Sequence, residues 1–391
     1  KDGDMDLLVG SGGNNRLSTR GELNHRLFIN DGKANFTHAA DAFPVFEYNT
    51  GVIVPLDYDL DGDLDVFVGA RNTPLKYGVT PSSALYQNNG AGKFKEVTST
   101  IAPDFAKLGM VTSAVWGDIN KSGKASLIVV GEYMYPIIYA FEKGKMIEQV
   151  SNLKDMHGWW QSIHMADIDG DGFQDLILGN MGENGYLKPS ASAPVKLWIN
   201  DFDGNESIDK ILTRTVNGKD VPVFLKGEMQ EQIPLLKKEN LNYEIYAKKS
   251  FQELFKKELV EKATMKLYNY TSSIIAWGKG GGQFDIQRLP NEVQFSSLNA
   301  MVSSDLNADG KIDLVMGGNQ FGFLPQFGRL DANYGLVIIN KGKRKLDVLE
   351  DKQSGLAITG QVRDMLLFQQ GTQQKVLFIR NNQVPVFMKL K

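Results

Sequence analysis

The chain has 391 residues, of which 42% are hydrophobic and 23% charged, with a formal net charge of −3. That balance is ordinary for a folded globular protein and argues against a nucleic-acid-binding surface. No apolar run approaches the ~20 residues needed to cross a bilayer, and the absence of cysteine excludes disulfides, zinc–thiolate sites and thiol nucleophiles.

In chain order, the first element is already part-way through a motif. "KDGDMDLLVG" reads as the end of an acidic loop, with Asp2 at position five, Gly3 at six and Asp6 at nine, running into a strand. Residues preceding Lys1 are therefore expected to supply the start of the loop and a strand that closes the fold. The complete motif is "DYDLDGDLDVFVG". Asp57, Asp59, Asp61 and Asp65 fall at positions one, three, five and nine, with Gly62 at six. Alternate carboxylates in a tight loop converge on one centre, and hard oxygen ligands in a flexible loop suit Ca²⁺. Position seven, Asp63, would contribute its backbone carbonyl. An EF-hand would need a bidentate Glu at position twelve, where this chain has Val68. The flank "DVFVGA" is β-branched and aromatic, so the loop joins two strands.

The pattern then recurs. "DINKSGKAS" keeps Asp118, Asn120, Ser122 and Gly123, but Ser126 replaces the ninth carboxylate and Lys121 and Lys124 add positive charge. The loop fold without a firmly held ion is expected there. "DIDGDGFQD" places Asp167, Asp169, Asp171 and Asp175 in register before "LILGN". "DLNADGKID" places Asp305, Asn307, Asp309 and Asp313 likewise, with Lys311 at position seven, before "LVMGGN". In "NDFDGNESID", Asp201, Asp203, Asn205 and Asp209 occupy the ligand positions while Glu206 replaces the glycine. That segment aligns with third-to-fourth-strand hairpins and is a candidate additional site. Without a twelfth-position Glu such loops should bind Ca²⁺ in the ~10⁻⁴–10⁻³ M range typical of extracellular modules.

Each loop is followed by a strand, a connection, and a hairpin such as "RLFINDGKANFTHA" or "ALYQNNGAGKFKEV". Four strands repeated at roughly 40–60 residues make a propeller blade. The expected architecture is all-β: one seven-bladed β-propeller over 1–391, with blades near 1–43, 44–103, 104–154, 155–210, 211–295, 296–354 and 355–391. The calcium loops lie between first and second strands. The first blade is incomplete at its N-terminus, and the last shows only "QVRDMLLFQ", "KVLFIRNN" and "VPVFMKL". Residues 228–263 lack a strand pattern and place Tyr246, Phe251, Leu254, Phe255 and Leu259 on one helical face. They are expected to form a helical insertion in the fifth blade.

The repeated D-x-D-x-D-G-x-x-D followed by an apolar strand and Gly resembles the FG-GAP/VCBS repeat, the calcium-binding blade of integrin α-subunit-like propellers. "GWWQSIHMADIDGDGFQDLILGNMGENG" and "LWINDFDGNESIDKIL" are similar to bacterial VCBS-repeat proteins of the ASPIC/UnbV-associated type. The resemblance implies Ca²⁺ as cofactor. It also implies an extracellular or cell-surface location, with the outer membrane of a Gram-negative bacterium favoured. It does not choose an activity.

Four histidines, His25, His38, His157 and His164, are the only imidazole bases. No nucleophile elbow, zincin motif or phosphate-cradling loop occurs. The favoured reading is a non-enzymatic scaffold that binds a protein partner in a surface or outer-membrane complex. The alternative is a carbohydrate-binding module, or a polysaccharide lyase or hydrolase. The binding face should lie opposite the calcium loops, where the long connections fall. These offer Arg16, Arg71, Tyr77, Tyr186, Lys188, Phe321, Phe323, Phe327 and Arg329, with Trp159 and Trp160 near the channel mouth. Aromatic residues and Arg are the types that anchor interfaces.

Overall fold

Short β-branched and aromatic runs bounded by Gly, Asn and Asp favour extended chain punctuated by tight turns. The computed structural model describes residues 3–13, 21–239 and 242–389. Asp2 and Arg16 lie outside the described residues. β1 (Leu7–Val9), β2 (Arg26–Asn30) and β3 (Phe36–Ala39) form a three-stranded antiparallel sheet. β4 (Asn49–Leu56), β5 (Asp65–Asn72), β6 (Ala84–Asn88) and β7 (Phe94–Glu96) form a four-stranded one. β8 (Met110–Gly117), β9 (Ser126–Met134), β10 (Ile137–Glu142) and β11 (Lys145–Glu148) repeat that order, with β12 (Gly158–Trp159) added beside the end of β9.

β13 (Ser162–Ala166) and β14 (Asp175–Gly179) begin the next sheet, and there the chain departs. β15 (Val195–Asn200), β16 (Asp209–Val216), β17 (Lys219–Pro222) and β18 (Thr264–Tyr268) make a separate sheet in the order β17-β16-β15-β18. Short helices over 226–262 lie between β17 and β18. Only then do β19 (Ile274–Gly278) and β20 (Phe284–Arg288) complete the order β13-β14-β19-β20. β21 (Leu298–Ser304), β22 (Asp313–Gly318), β23 (Leu336–Asn340) and β24 (Leu346–Val348) form another meander, and β25 (Val362–Gln370), β26 (Gln373–Arg380) and β27 (Val386–Lys389) the last. No helix among the described residues is long and apolar enough to cross a membrane.

The expected division into blades at 155–210 and 211–295 is corrected by this topology. Those residues form one blade-like sheet with a second sheet inserted between its second and third strands. The helices belong to that inserted sheet, where they pack Phe251, Tyr246 and Leu254 against Phe202 and Ile211.

The second strand of each meander explains the apolar runs. Phe67 packs toward the β8–β11 sheet, while Val66 and Val68 pack toward the opposite side with Phe46 and Tyr86. In β9, Leu127 and Val129 face one neighbouring sheet, and Ile128 and Val130 the other. β14 and β22 divide Leu176, Ile177 and Leu178, and Leu314, Val315 and Met316, in the same way. A strand sandwiched between two sheets buries both of its faces, so it reads as continuous rather than alternating hydrophobicity.

The glycines closing these runs mark where the next inner strand passes. A Cβ at Gly69 would stand 2.5 Å from Val111 Cγ1, at Gly179 2.2 Å from the Leu298 carbonyl oxygen, and at Gly317 2.9 Å from Val362 Cγ1. Hydroxyls and an amide then stitch successive inner strands together. Thr112 Oγ1 donates to the Trp160 carbonyl at 2.8 Å, Ser162 Oγ to the Leu298 carbonyl at 2.9 Å, and Asn299 Nδ2 to the Val362 carbonyl at 3.0 Å.

His25 lies in the first junction, 5% exposed among Phe43, Phe46 and Tyr86, and neither ring nitrogen has a hydrogen-bond partner among the described residues. Burial pushes its pKa down to about 4. Between pH 6.5 and 4 the unfolded chain therefore holds a proton that the folded chain refuses, so stability falls as the pH drops through that window. The full effect is about 3 kcal/mol. Melting curves from pH 7 to 4.5 should show a smaller decline for His25→Phe than for the parent; equal declines would refute the assignment.

Candidate functional site: acidic loops and an aromatic cavity

The acidic loops share one backbone design. The position-one carboxylate accepts the N–H of position six: Asp57 from Gly62 at 3.1 Å, Asp167 from Gly172 at 2.8 Å, Asp201 from Glu206 at 2.9 Å and Asp305 from Gly310 at 2.8 Å. Asp118 accepts from Gly123 in the same way. Positions four and six are both left-handed. Position six has φ of 86° at Gly62 and Gly172, 81° at Gly310 and 65° at Glu206, the one non-glycine. That backbone is why glycine is favoured there.

Position nine does a different job. Asp65, Asp175, Asp209 and Asp313 are at most 3% exposed. Asp175 accepts from the Ile168 N–H and the Gly278 N–H, both at 2.8 Å. Asp313 accepts from Leu306 at 3.0 Å and Asn340 at 2.8 Å, and Asp65 from Asn88 at 2.8 Å. Asp209 accepts from Phe202 at 2.9 Å. At Asp175 and Asp313 one carboxylate thus ties the loop to the third strand of its sheet. Burial pushes Asp65 and Asp175 up to about 6, and raises Asp209.

Carboxylate oxygens converge in three places among the described residues: Asp57, Asp59 and Asp61; Asp167, Asp169 and Asp175; and Asp201, Asp203 and Asp209, each set lying within 4.8 Å. The Asp305 loop does not make such a set. There Lys311 Nζ lies 3.0 Å from Asp309 Oδ2, and Asn307 replaces one acid. Asp57 Oδ1, Asp59 Oδ1, Asp65 Oδ2 and Asp203 Oδ1 are buried acceptors without a donor among the described residues. Buried acceptors of one sign, left unpaired, fit a hard cation. At the Asp167 loop, Arg344 Nε already reaches Asp169 Oδ2 at 2.9 Å. Lys121, from the degenerate loop, donates to the Asp171 carbonyl and sits 4.1 Å from the Phe173 ring centroid.

At the other ends of the second strands lies a cavity of about 370 Å³. Six of the eleven residues expected on the binding face line it: Arg71, Tyr77, Trp159, Tyr186, Phe323 and Phe327. Trp159 stands edge-on to Phe323 at 5.9 Å between centroids, and 5.6–5.7 Å from Tyr133 and Tyr268. Arg71 Nη2 donates to Glu132 Oε1 at 2.6 Å, and the Tyr77 hydroxyl donates to Glu132 Oε2 at 2.7 Å. The Glu132 charge holds the Arg71 pKa up, and burial drives that of Tyr77 well above its usual value.

Four other expected face residues are elsewhere, and Arg16 lies outside the described residues; Lys188 donates to the Glu183 carbonyl. Trp160 is fully buried, stacked on Tyr270 at 6.0 Å, with its indole N–H donating to the Met156 carbonyl at 3.2 Å. Neighbouring residues of an extended chain point to opposite sides, so Trp159 and Trp160 cannot share a face. Phe321 and Arg329 pair with each other at 4.3 Å beside the cavity, and Arg329 bonds Asp331. Glu132, Tyr133 and Tyr268 were missed by the sequence reading. The signal was "GEYM": β9, like β5, runs past its glycine where β14 and β22 stop, and Tyr133 has a φ of 59°, a disfavoured backbone for an aromatic residue. His164 bonds Ser303 Oγ at 2.8 Å on the neighbouring inner strand, and burial lowers its pKa.

A family model described as FG-GAP-like repeat matches residues 57–129, and one described as FG-GAP repeat matches residues 159–192. Residues 57–129 and 159–192 thus match FG-GAP repeats. The matched residues contain the loops at Asp57, Asp118 and Asp167, and the strand-closing glycines Gly69 and Gly179. Among solved structures, the V. cholerae biofilm matrix protein Bap1 is similar over 91% of this chain and 70% of its own, at 8% identity and a TM-score of 0.30. No curated protein matches the sequence.

Trp160→Ala should destabilise the fold by about 3–5 kcal/mol, as a buried aromatic does. Phe323→Ala should cost about 1 kcal/mol or less. Urea melts of the two variants separate core from face, and equal losses would place both rings in the core.

Proposed function

We propose that this chain is a Ca²⁺-stabilised FG-GAP β-propeller that acts as a non-enzymatic protein-binding scaffold in an extracellular or outer-membrane-associated setting. FG-GAP repeats imply a propeller-type interaction domain and typically occur in extracellular proteins. The observation that carries the reading is the convergence of six anchor-type side chains on one cavity, at the strand ends remote from the acidic loops. A part-exposed aromatic cluster with a rigid sheet behind it is the arrangement that interface hot spots use. A glycan ligand is the second reading, favoured by the accessible Trp159 ring beside the Arg71–Glu132 pair; a glycan array tests it.

In this reading Ca²⁺ is a structural ion. Asp57, Asp59 and Asp61 would hold one, and Asp201, Asp203 and Asp209 another. The Asp167 set competes with Arg344, and the Asp305 loop relies on Lys311 instead. The ion neutralises carboxylates that otherwise repel one another across each loop. With ~1 mM Ca²⁺ and a Kd of ~0.1 mM, linkage gives about 1.4 kcal/mol per site. Melting in EDTA should fall clearly below melting in Ca²⁺. Asp59→Asn and Asp203→Asn should each remove part of that difference, and Asp305→Asn little of it. Superimposable curves with and without Ca²⁺ would sink the structural-ion reading.

The interaction reading has its own test. Immobilised protein should retain a specific partner from a native envelope extract. Phe323→Ala combined with Tyr186→Ala should lose that partner while keeping the Ca²⁺-dependent melting temperature. Retention unchanged by the double variant would move the interface off this face.

A further inference from the structure

The cavity has a charge pattern that says more than its aromatic wall does. Its only acid among the lining residues, Glu132, is spent: one oxygen takes Arg71, the other the Tyr77 hydroxyl. Its cations are not spent. Arg71 uses one nitrogen on Glu132, and among the described residues neither its remaining donors nor the Lys210 ammonium has a protein partner. Arg363 adds a third positive charge just behind, bonded to the lining residue Gln320 at 3.1 Å; burial and the Arg71 charge both depress its pKa. Trp159, Tyr268 and Phe323 line the same cavity. The site thus combines apolar rings with hydrogen-bond donors for an anion that no acid in its lining takes up. A volume of about 370 Å³ is within the range of small-ligand pockets.

We propose that this cavity binds a compact apolar group carrying a carboxylate, with its body against Trp159, Tyr268 and Phe323 and its anion on Arg71 and Lys210. An arginine already oriented by a buried carboxylate presents its free edge without further ordering, and charge-assisted bonds of this kind are the strong ones. In the Arg71–Glu132 pair the carboxylate is buried while the Arg71 side chain is 42% exposed, so the pair leaves its cation accessible to a ligand. The proposal rests on the reading that this face is the binding face.

The test is calorimetric titration of the Ca²⁺-loaded chain with three probes of one shape: 4-phenylbutyrate, 4-phenylbutanol and 4-phenylbutylamine. The anion should bind roughly fivefold or more tightly than the alcohol, and the amine weakest. Lys210→Met should erase much of the anion preference while leaving the alcohol unchanged, and Phe323→Ala should weaken all three. Arg71 is left intact, because removing it would strand Glu132. A tripeptide ending in free Phe, against its amide, identifies the source. Discrimination between these two assigns the carboxylate to a partner's C-terminus, and binding of phenylbutyrate alone assigns it to a free small molecule; either supports the site. The amine binding best, or no probe binding at about 10 mM, would overturn it. In that event partner retention that still depends on Phe323 would leave the interaction reading standing.

Discussion

The rest of the molecule depends on a buried carboxylate. At position nine of each complete acidic loop, an aspartate leaves water and accepts backbone N–H groups, from its own loop at Asp175, Asp209 and Asp313 and from the neighbouring third strand at Asp65, Asp175 and Asp313. Burying that charge is costly unless its lone pairs are filled; the backbone takes up both oxygens of Asp175 and Asp313, whereas Asp65 Oδ2 has no donor among the described residues. The interaction fixes the hairpin between first and second strands and the register of the third strand at once. The aspartates at positions one and three converge in each cation-ready set, joined by position five at Asp61 and by the position-nine clamp itself at Asp175 and Asp209.

The third strand is written to match. Asn88 and Asn340 each give a backbone N–H to the ninth aspartate and a side-chain amide to the carbonyl before it, and Asn30 does the same at Asp6 and Met5. That is why so many of the hairpins read "IN" or "QN" before a glycine turn. Asp175 meets Gly278 instead, in a strand without the asparagine. Its counterfeit is "KLWIN": Asn200 carries the pattern but gives its amide to Leu259, inside the inserted sheet.

This accounts for what was legible in the sequence. The loops, the sandwiched second strands and their closing glycines follow from local chemistry and could be read directly. The inserted sheet could not, because its first strand imitates a third strand and the true one, "SIIAWGKGGG", lacks the mark. The cavity was half legible. Its loop residues, Tyr77, Tyr186, Phe323 and Phe327, sit in long connections, which commonly carry function. Lys210 and Tyr268 come from strands of the inserted sheet, and Glu132 and Tyr133 from the part of β9 beyond its glycine, so no repeat pattern assigns them to a surface. Trp160 shows the limit of proximity in sequence, since one residue separates a cavity ring from a core ring.

The loop end and the cavity end are the two ends of the same strands. β5 begins at Asp65 and carries Arg71 near its far end; β9 begins at Ser126 and carries Glu132. The Arg71–Glu132 pair therefore joins two neighbouring sheets at a point set by registers fixed at the opposite side of the molecule. A slip of one residue turns a side chain to the other face of its strand. Slippage in β5 would swap Arg71 for Ala70 or Asn72 at the cavity and strand Glu132. The Asp65 clamp, with the Ca²⁺ proposed beside it, thus governs the cavity's charge without touching it. Asp65 sits against Asn88, in a sheet interior packed too tightly at Gly69 to shift in part.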